Sequence, residues 1–261
     1  MHSVLAIAIL FGAFWESWRW LMQRTWVTPD EAVTLVVMML VVAGSAMRGR
    51  LVRGRLQPLA LPPLAAALAL YAVTLGSVPA IVSAAIAVTT TLAAIFVSGH
   101  GRRPPIAFWG LCCLVLPIVP TLQFYLGYPM RVVSAVLTVP LLQLNGLDVS
   151  LAGTALVWEG RQIQFDAPCS GVTMAWAGML LVFSAGTLLA YDWRQLMRAI
   201  FLGLRLLLAA NVLRAASLFY LETGLLPGTS EGLHQAVGLA AFGLAMVLLI
   251  NSLRRLAPCH A

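Results

Sequence analysis

The feature that most constrains the fold is a series of apolar runs separated by short polar stretches. Several runs reach or approach the roughly 20 residues that an α-helix needs to cross a bilayer. Eight segments can be counted, at 3–22, 31–47, 59–77, 79–98, 105–126, 170–190, 196–221 and 233–252. Lipid cannot hydrogen-bond the backbone, so spanning segments are expected to be helical. The pattern predicts an all-α polytopic membrane protein with about eight transmembrane helices.

Composition supports this class and weighs against a nucleic-acid partner. Of the 261 residues, 61% are hydrophobic and 10% are charged, whereas soluble proteins carry about 25% charged residues. The net charge is +7, and all 16 basic residues are arginine. A soluble protein this basic would suggest nucleic-acid binding. Here the arginines mostly lie in short loops between apolar runs, so membrane orientation explains them better.

The arginine-bearing loops predict that orientation. They are residues 48–55 and 99–103, the pair Arg194 and Arg198, and residues 254–255. With eight spans, all four loops fall on one side, which the positive-inside rule assigns to the cytoplasm. We therefore expect a multi-pass protein of the inner (cytoplasmic) membrane, surrounded by the lipid bilayer, with both termini cytoplasmic.

One long insertion, residues 127–168, is predicted on the opposite, extracytoplasmic side. It includes an apolar run at 132–144 that is too short to span comfortably, which predicts an interfacial helix. Residues 147–166 contain glycines at intervals, alternating apolar and polar residues, and β-branched side chains. This pattern predicts two or three short strands with a hairpin turn near 159–160. The expected organisation is one membrane domain, 1–261, with this insertion as a small strand-containing cap.

Cys169 lies where that cap ends and an apolar run begins, in the Ala-Pro-Cys-Ser-Gly sequence of residues 167–171. Ser170 is suited to cap the following helix, and Gly171 permits the close approach of another backbone. The first turn of a helix offers N–H groups and a partial positive charge, which favour a thiolate and can bind an oxyanion. Cys169 is thus a candidate nucleophile; the alternative is a small residue at a helix start.

Two polar residues are expected at the same depth on later segments. Arg214 lies within an apolar segment, although an arginine at the bilayer centre costs about 2.5–3.5 kcal/mol on insertion scales. Asn211, three residues earlier, shares its helix face, so the pair marks either a polar site or a structural hydrogen bond between helices. His234 begins the last segment, and the near-neutral pKa typical of histidine suits proton transfer, although a lone interfacial histidine is often structural.

Other chemistries find little support in the sequence. Walker and HExxH motifs are missing, and the four cysteines show no metal-ligand spacing. We expect no metal and no cofactor. The candidates are a thiol-based acyl transferase or protease and, as the alternative class, a non-enzymatic transporter or scaffold component of a polysaccharide export pathway.

The motifs taken together resemble those of the exosortase/archaeosortase family. The resemblance covers roughly residues 60–252. It is carried by Leu-Pro at 116–117, Leu-Gln at 122–123, Tyr-Pro at 128–129 with Arg131, the 167–171 sequence, Asn-Val-Leu-Arg at 211–214 and His234. The Cys-Ser-Gly at the start of a span, the Asn-x-x-Arg and the later histidine are specific as a set.

The resemblance implies a polytopic membrane cysteine transpeptidase. Its expected partners are exported proteins with a C-terminal sorting signal, composed of a short motif such as Pro-Glu-Pro, a transmembrane helix and a basic cluster, together with an acceptor amine. A hydrolytic protease with the same residues remains an alternative.

The resemblance also implies roles for individual residues. The family's catalytic cysteine, arginine and histidine correspond to Cys169, Arg214 and His234. Substrate-binding or supporting roles are expected of Asn211, Ser170 and Gly171. Pro168 stands where an acidic residue often precedes the Cys-Ser-Gly, which bears on the subfamily and the signal that it reads.

Overall fold

The computed structural model describes residues 3–27, 36, 39–40, 43–44, 61–164, 170–225 and 231–256. Within them the chain is mostly helical and has one small antiparallel sheet. The helices are α1 Ser3–Ala13, α2 Trp15–Val27, α3 Leu61–Thr74, α4 Ala80–His100, α5 Ile106–Val115, α6 Val119–Leu144, α7 Val172–Leu188, α8 Trp193–Glu222 and α9 Glu231–Leu256. The strands are β1 Ser150–Ala152, β2 Ala155–Trp158 and β3 Arg161–Gln164.

Four helices in the described part of the chain are long and apolar enough to cross a membrane. They are α4, α6, α8 and the Gln235–Leu256 portion of α9. Shorter apolar helices cover Pro62–Thr74, Ile106–Val115 and Val172–Leu188. The predicted segment 31–47 lies, except for a few positions, outside the described residues. The apolar, mostly helical architecture is confirmed, whereas the number of eight spans is not.

The predicted segment 105–126 is wrong, because the structure divides it at Pro117. Leu116 is extended, with φ −69° and ψ 151°, as expected for a residue before proline. α6 then continues to Leu144 through Pro129 and Pro140. The run 132–144 is therefore the second half of a long helix rather than a separate short one. Prolines are tolerated in membrane helices, which is consistent with Pro129 and Pro140 inside α6.

The chain divides into two compact units. Unit one contains Met1–Ile118 and Phe183–Leu196, and unit two contains Val119–Val182 and Met197–Cys259. In unit one the rings of Phe14 and Tyr71 pack edge to face at 4.7 Å between centroids. The candidate site lies in unit two. The organisation of 1–261 as one membrane domain and the extracytoplasmic position of the cap stay predictions.

The sheet confirms the strands expected within 147–166. Its order is β1-β2-β3, and both connections are two-residue hairpin turns. Glu159 and Gly160 both have positive φ, 49° and 75°, which is typical of the type I′ turn that matches the twist of a hairpin. The turn predicted near 159–160 is therefore confirmed. Gly153, with φ 67°, begins the other turn.

A buried cluster fixes the sheet to α6 and α8. Its members are Ala135 and Leu142 of α6, Val149 and Leu156 of the sheet region, and Ala215, Ala216 and Phe219 of α8. The rings of Trp158 and Phe219 meet edge to face at 5.9 Å. The Gln143 amide also donates a 2.9 Å hydrogen bond to the Val149 carbonyl. The sheet is thus anchored to α6 and α8 by apolar packing and by a hydrogen bond to the residue before β1.

This anchoring predicts that Leu156→Ala destabilises the protein by about 2–5 kcal/mol, because it removes a side chain that is 1% exposed and leaves a cavity. Leu151→Ala, on β1 and 38% exposed, is the matched control and should change stability by no more than about 0.5 kcal/mol. Denaturant unfolding of the full chain in detergent measures both. Equal losses would contradict the proposed anchoring.

Candidate active site

The residues that follow Cys169 cap the N-terminus of α7. The Ala175 N–H donates to the Gly171 carbonyl at 2.8 Å, which makes Gly171 the N-cap residue. The Val172 N–H donates to the Ser170 hydroxyl at 3.3 Å. Ser170 thus satisfies one N–H of the first turn from the position before the N-cap, whereas the N-cap itself is Gly171. Cys169 itself lies just outside the described residues.

Ser170 is also tied to α6. Its side chain is 1% exposed, and its hydroxyl donates to Gln123 Oε1 at 3.2 Å. The Gln123 amide folds back over Gly127, where an added Cβ would be 3.0 Å from Nε2. Gln123 belongs to the Leu-Gln motif at 122–123, but the sequence does not predict it as a site residue. Its contact with Ser170 joins positions far apart in sequence, so no local pattern reveals it.

Gly171 is required for two reasons. Its φ of +75° is one that side-chain-bearing residues rarely adopt. An added Cβ would also lie 2.8 Å from Asn211 Cγ. The group that approaches Gly171 is thus the side-chain amide of Asn211, and the expectation of an approaching backbone is wrong.

Asn211 links three elements. Its side chain is 3% exposed and packs on Gly171 of the α7 start while Nδ2 donates to Ser134 Oγ on α6 at 2.8 Å. Thr138, also buried, donates to the Ser134 carbonyl at 2.7 Å. The structural alternative, a hydrogen bond between helices, therefore holds for Asn211. That bond also holds the amide in contact with Gly171, in the turn that follows Cys169.

Arg214 lies one turn beyond Asn211 on α8 and reaches α9. An added Cβ at Gly238 would be 3.1 Å from Nε and 3.5 Å from Cζ of Arg214. The guanidinium therefore lies directly over the backbone of Gly238. Gly238 was not predicted as part of the site, and one glycine among several in an apolar segment gives no signal for this role.

His234 lies in α9, four residues before Gly238. Residues four apart share one face of a helix, so position 234 is one turn along the face that Arg214 contacts. The side chain of His234 is outside what the structure describes. Direct contact among Cys169, Arg214 and His234 accordingly stays a prediction.

The described groups favour a ligand with a carbonyl or anionic oxygen. A guanidinium and the start of a helix supply hydrogen-bond donors and positive charge. In the described parts of the chain, no three His, Cys, Asp or Glu side chains lie close enough to hold a metal ion.

These observations define an α-helical membrane protein with buried polar contacts between its helices. A family model for the transmembrane exosortase (Exosortase_EpsH) matches residues 1–251. The chain therefore belongs to the transmembrane exosortase family and is a membrane protein. The match confirms the resemblance and extends it to the N-terminal region. No curated protein and no solved structure gives a significant match.

The packing of Asn211 on Gly171 predicts the cost of Gly171→Ala. Gly146→Ala is the matched control, because Gly146 has φ +81° but open space around it. Both variants incur about 1–2 kcal/mol for the left-handed backbone. Gly171→Ala should lose about 1–3 kcal/mol more through overpacking. Thermal unfolding in detergent compares them, and similar losses would refute the role of the Asn211 contact.

Proposed function

We propose that the chain is a membrane-embedded cysteine transpeptidase that cleaves C-terminal sorting signals of exported proteins through a thioester on Cys169. One observation carries the proposal: Asn211 packs on the turn that follows Cys169, while Arg214, one turn away, packs on the helix that carries His234. The candidate nucleophile, cation and proton carrier thus belong to elements that meet within unit two. Family membership supports the same reaction class.

In the first half-reaction, His234 takes the proton of the Cys169 thiol, and the thiolate sulfur attacks the carbonyl carbon of the scissile peptide bond. The developing oxyanion is held by the Arg214 guanidinium and by N–H groups of the α7 start. The C–N bond then breaks, and His234 returns the proton to the leaving amine. The signal's C-terminal helix leaves and the rest of the protein remains as a thioester.

In the second half-reaction, an acceptor amine attacks the thioester carbonyl. His234 accepts the amine proton, the C–S bond breaks, and the thiol is regenerated. The product is a new amide. If water were the acceptor, the product would be a free carboxylate and the enzyme would be a hydrolytic protease.

The proposed setting is the inner membrane, with about eight spans, cytoplasmic termini and the site at the outer face. The arginine loops support this orientation through the positive-inside rule. A substrate's C-terminal helix would enter sideways from the bilayer and present its motif at the site. Asn211, Ser170 and Gly171 would act by holding the turn that carries the nucleophile.

Cys169→Ala is expected to leave full-length substrate in the membrane, because no thioester can form. In the wild-type protein, mass spectrometry after incubation with a sorting peptide that carries Pro-Glu-Pro, an apolar helix and a basic tail should find an acyl group on Cys169. Normal processing by Cys169→Ala would exclude the nucleophile assignment, whereas absence of processing by the wild-type protein would favour a transporter or scaffold. Analysis of the cleaved product separates transfer from hydrolysis.

Gly238→Ala is expected to lower kcat roughly tenfold with little change in KM, because the added methyl displaces the guanidinium from the reacting carbonyl. Gly243→Ala on the same helix is the control, since its added Cβ meets no atom within 4 Å. Steady-state processing of the same peptide measures both. Equal activities, with both variants folded, would argue against the role of Arg214 at this position.

A further inference from the structure

Strand β3 forms an edge of the sheet with a defined set of outward-facing backbone groups. The two-residue turn at 159–160 makes Trp158 and Arg161 a hydrogen-bonded pair, and such pairs alternate along an antiparallel ladder. Leu156 and Ile163 form the next hydrogen-bonded pair. The N–H and C=O groups of Gln162 and Gln164 consequently point away from β2.

These groups are not used within the described part of the chain. The sheet ends at β3, and the main chain of 161–164 makes hydrogen bonds only within the ladder. The opposite edge, β1, contacts α6, although its three residues are exposed. An edge strand with unused backbone groups is a template for pairing with another extended chain.

The edge is rigidly placed and leads to the nucleophile. Ile163 packs against the cluster formed by α6, the sheet and α8. Cys169 follows Gln164 by five residues, which span at most about 18 Å. Ser170 is in turn fixed to Gln123 of α6. A peptide paired with β3 would therefore lie within a few residues' length of the thiol.

We propose that the substrate segment around the cleaved bond binds β3 as a fourth strand. The proposal rests on the proposed function and specifies how that site holds its substrate. Gln162 and Gln164 each contribute one N–H and one C=O to the peptide backbone, so affinity comes from the main chain and the substrate's alternate side chains supply specificity. Only one edge of the bound peptide is paired, so prolines are tolerated at alternate positions.

Proline substitutions on the enzyme test the pairing. Gln162→Pro and Gln164→Pro each remove an outward N–H without breaking the β2–β3 ladder, and each should lower kcat/KM roughly fivefold to tenfold, the effect of one lost hydrogen bond. Leu151→Pro is the matched control, because its N–H points away from β2 on the opposite edge. Thermal unfolding checks that all three variants are folded. Equal kcat/KM values for the three would overturn the proposal.

N-methylation of the substrate gives an independent test. The probe is a synthetic peptide that carries Pro-Glu-Pro and an apolar helix, with one amide nitrogen methylated at a time around the motif. Binding to the full-length Cys169→Ala protein in detergent should weaken at alternate positions only. A flat profile, with wild-type processing intact, would refute the added strand and leave the transpeptidase standing. Failure of the wild-type protein to process the unmethylated peptide would refute both.

The edge could instead pair with a second copy of the chain. Gln164→Pro would then convert a dimer to a monomer, as measured by light scattering of the protein–detergent complex, and would leave peptide binding unchanged. That result would also overturn the proposal. A change in peptide binding with no change in oligomeric state supports it.

Discussion

The arrangement of the site depends on the buried amide of Asn211. A polar group removed from water is costly unless it is hydrogen-bonded, and Nδ2 meets this requirement through Ser134 of α6. The same amide packs on Gly171, so one side chain fixes α8 relative to α6 and to the start of α7. Arg214 lies one turn later on α8, so the contacts of Asn211 also fix where Arg214 lies relative to α6 and the start of α7. A change at Asn211 would therefore move the proposed nucleophile turn and the proposed cation together.

Glycines make this close packing possible. Hydrophobic burial drives helix association little inside a bilayer, so contacts rely on small residues that let helices approach closely. Gly178 of α7 receives Leu207 of α8, and Gly203 of α8 lies against Met179 of α7. Gly171 and Gly238 use the same device for polar partners instead of apolar ones. The candidate site thus uses the same close packing on glycines as the apolar helix contacts of unit two, but with polar side chains.

Some features of the fold and of the candidate site are predictable from the sequence, whereas others are not. The turn at Glu159 and Gly160 was predictable because its chemistry is local. The division of 105–126 was not, because Pro117 follows the end of the short helix α5 at Val115, whereas Pro129 is accommodated within α6. Asn211 and Arg214 stood out because polar groups in apolar segments are costly. Gln123, Ser134 and Gly238 did not, because their importance lies in partners that only the fold brings near.

The division of roles among the helices gives α6 a particular importance. The candidate nucleophile precedes α7, the cation lies on α8 and the histidine on α9, whereas α6 carries none of them. Yet α6 holds Ser170 through Gln123, Asn211 through Ser134, and the sheet through Leu142 and Gln143. A helix that contacts the residue after the nucleophile, the asparagine one turn before the cation and the sheet, without carrying a catalytic candidate, helps to set the distances on which that chemistry depends. Selection for activity should therefore act on the polar residues of α6 as strongly as on those that meet the substrate.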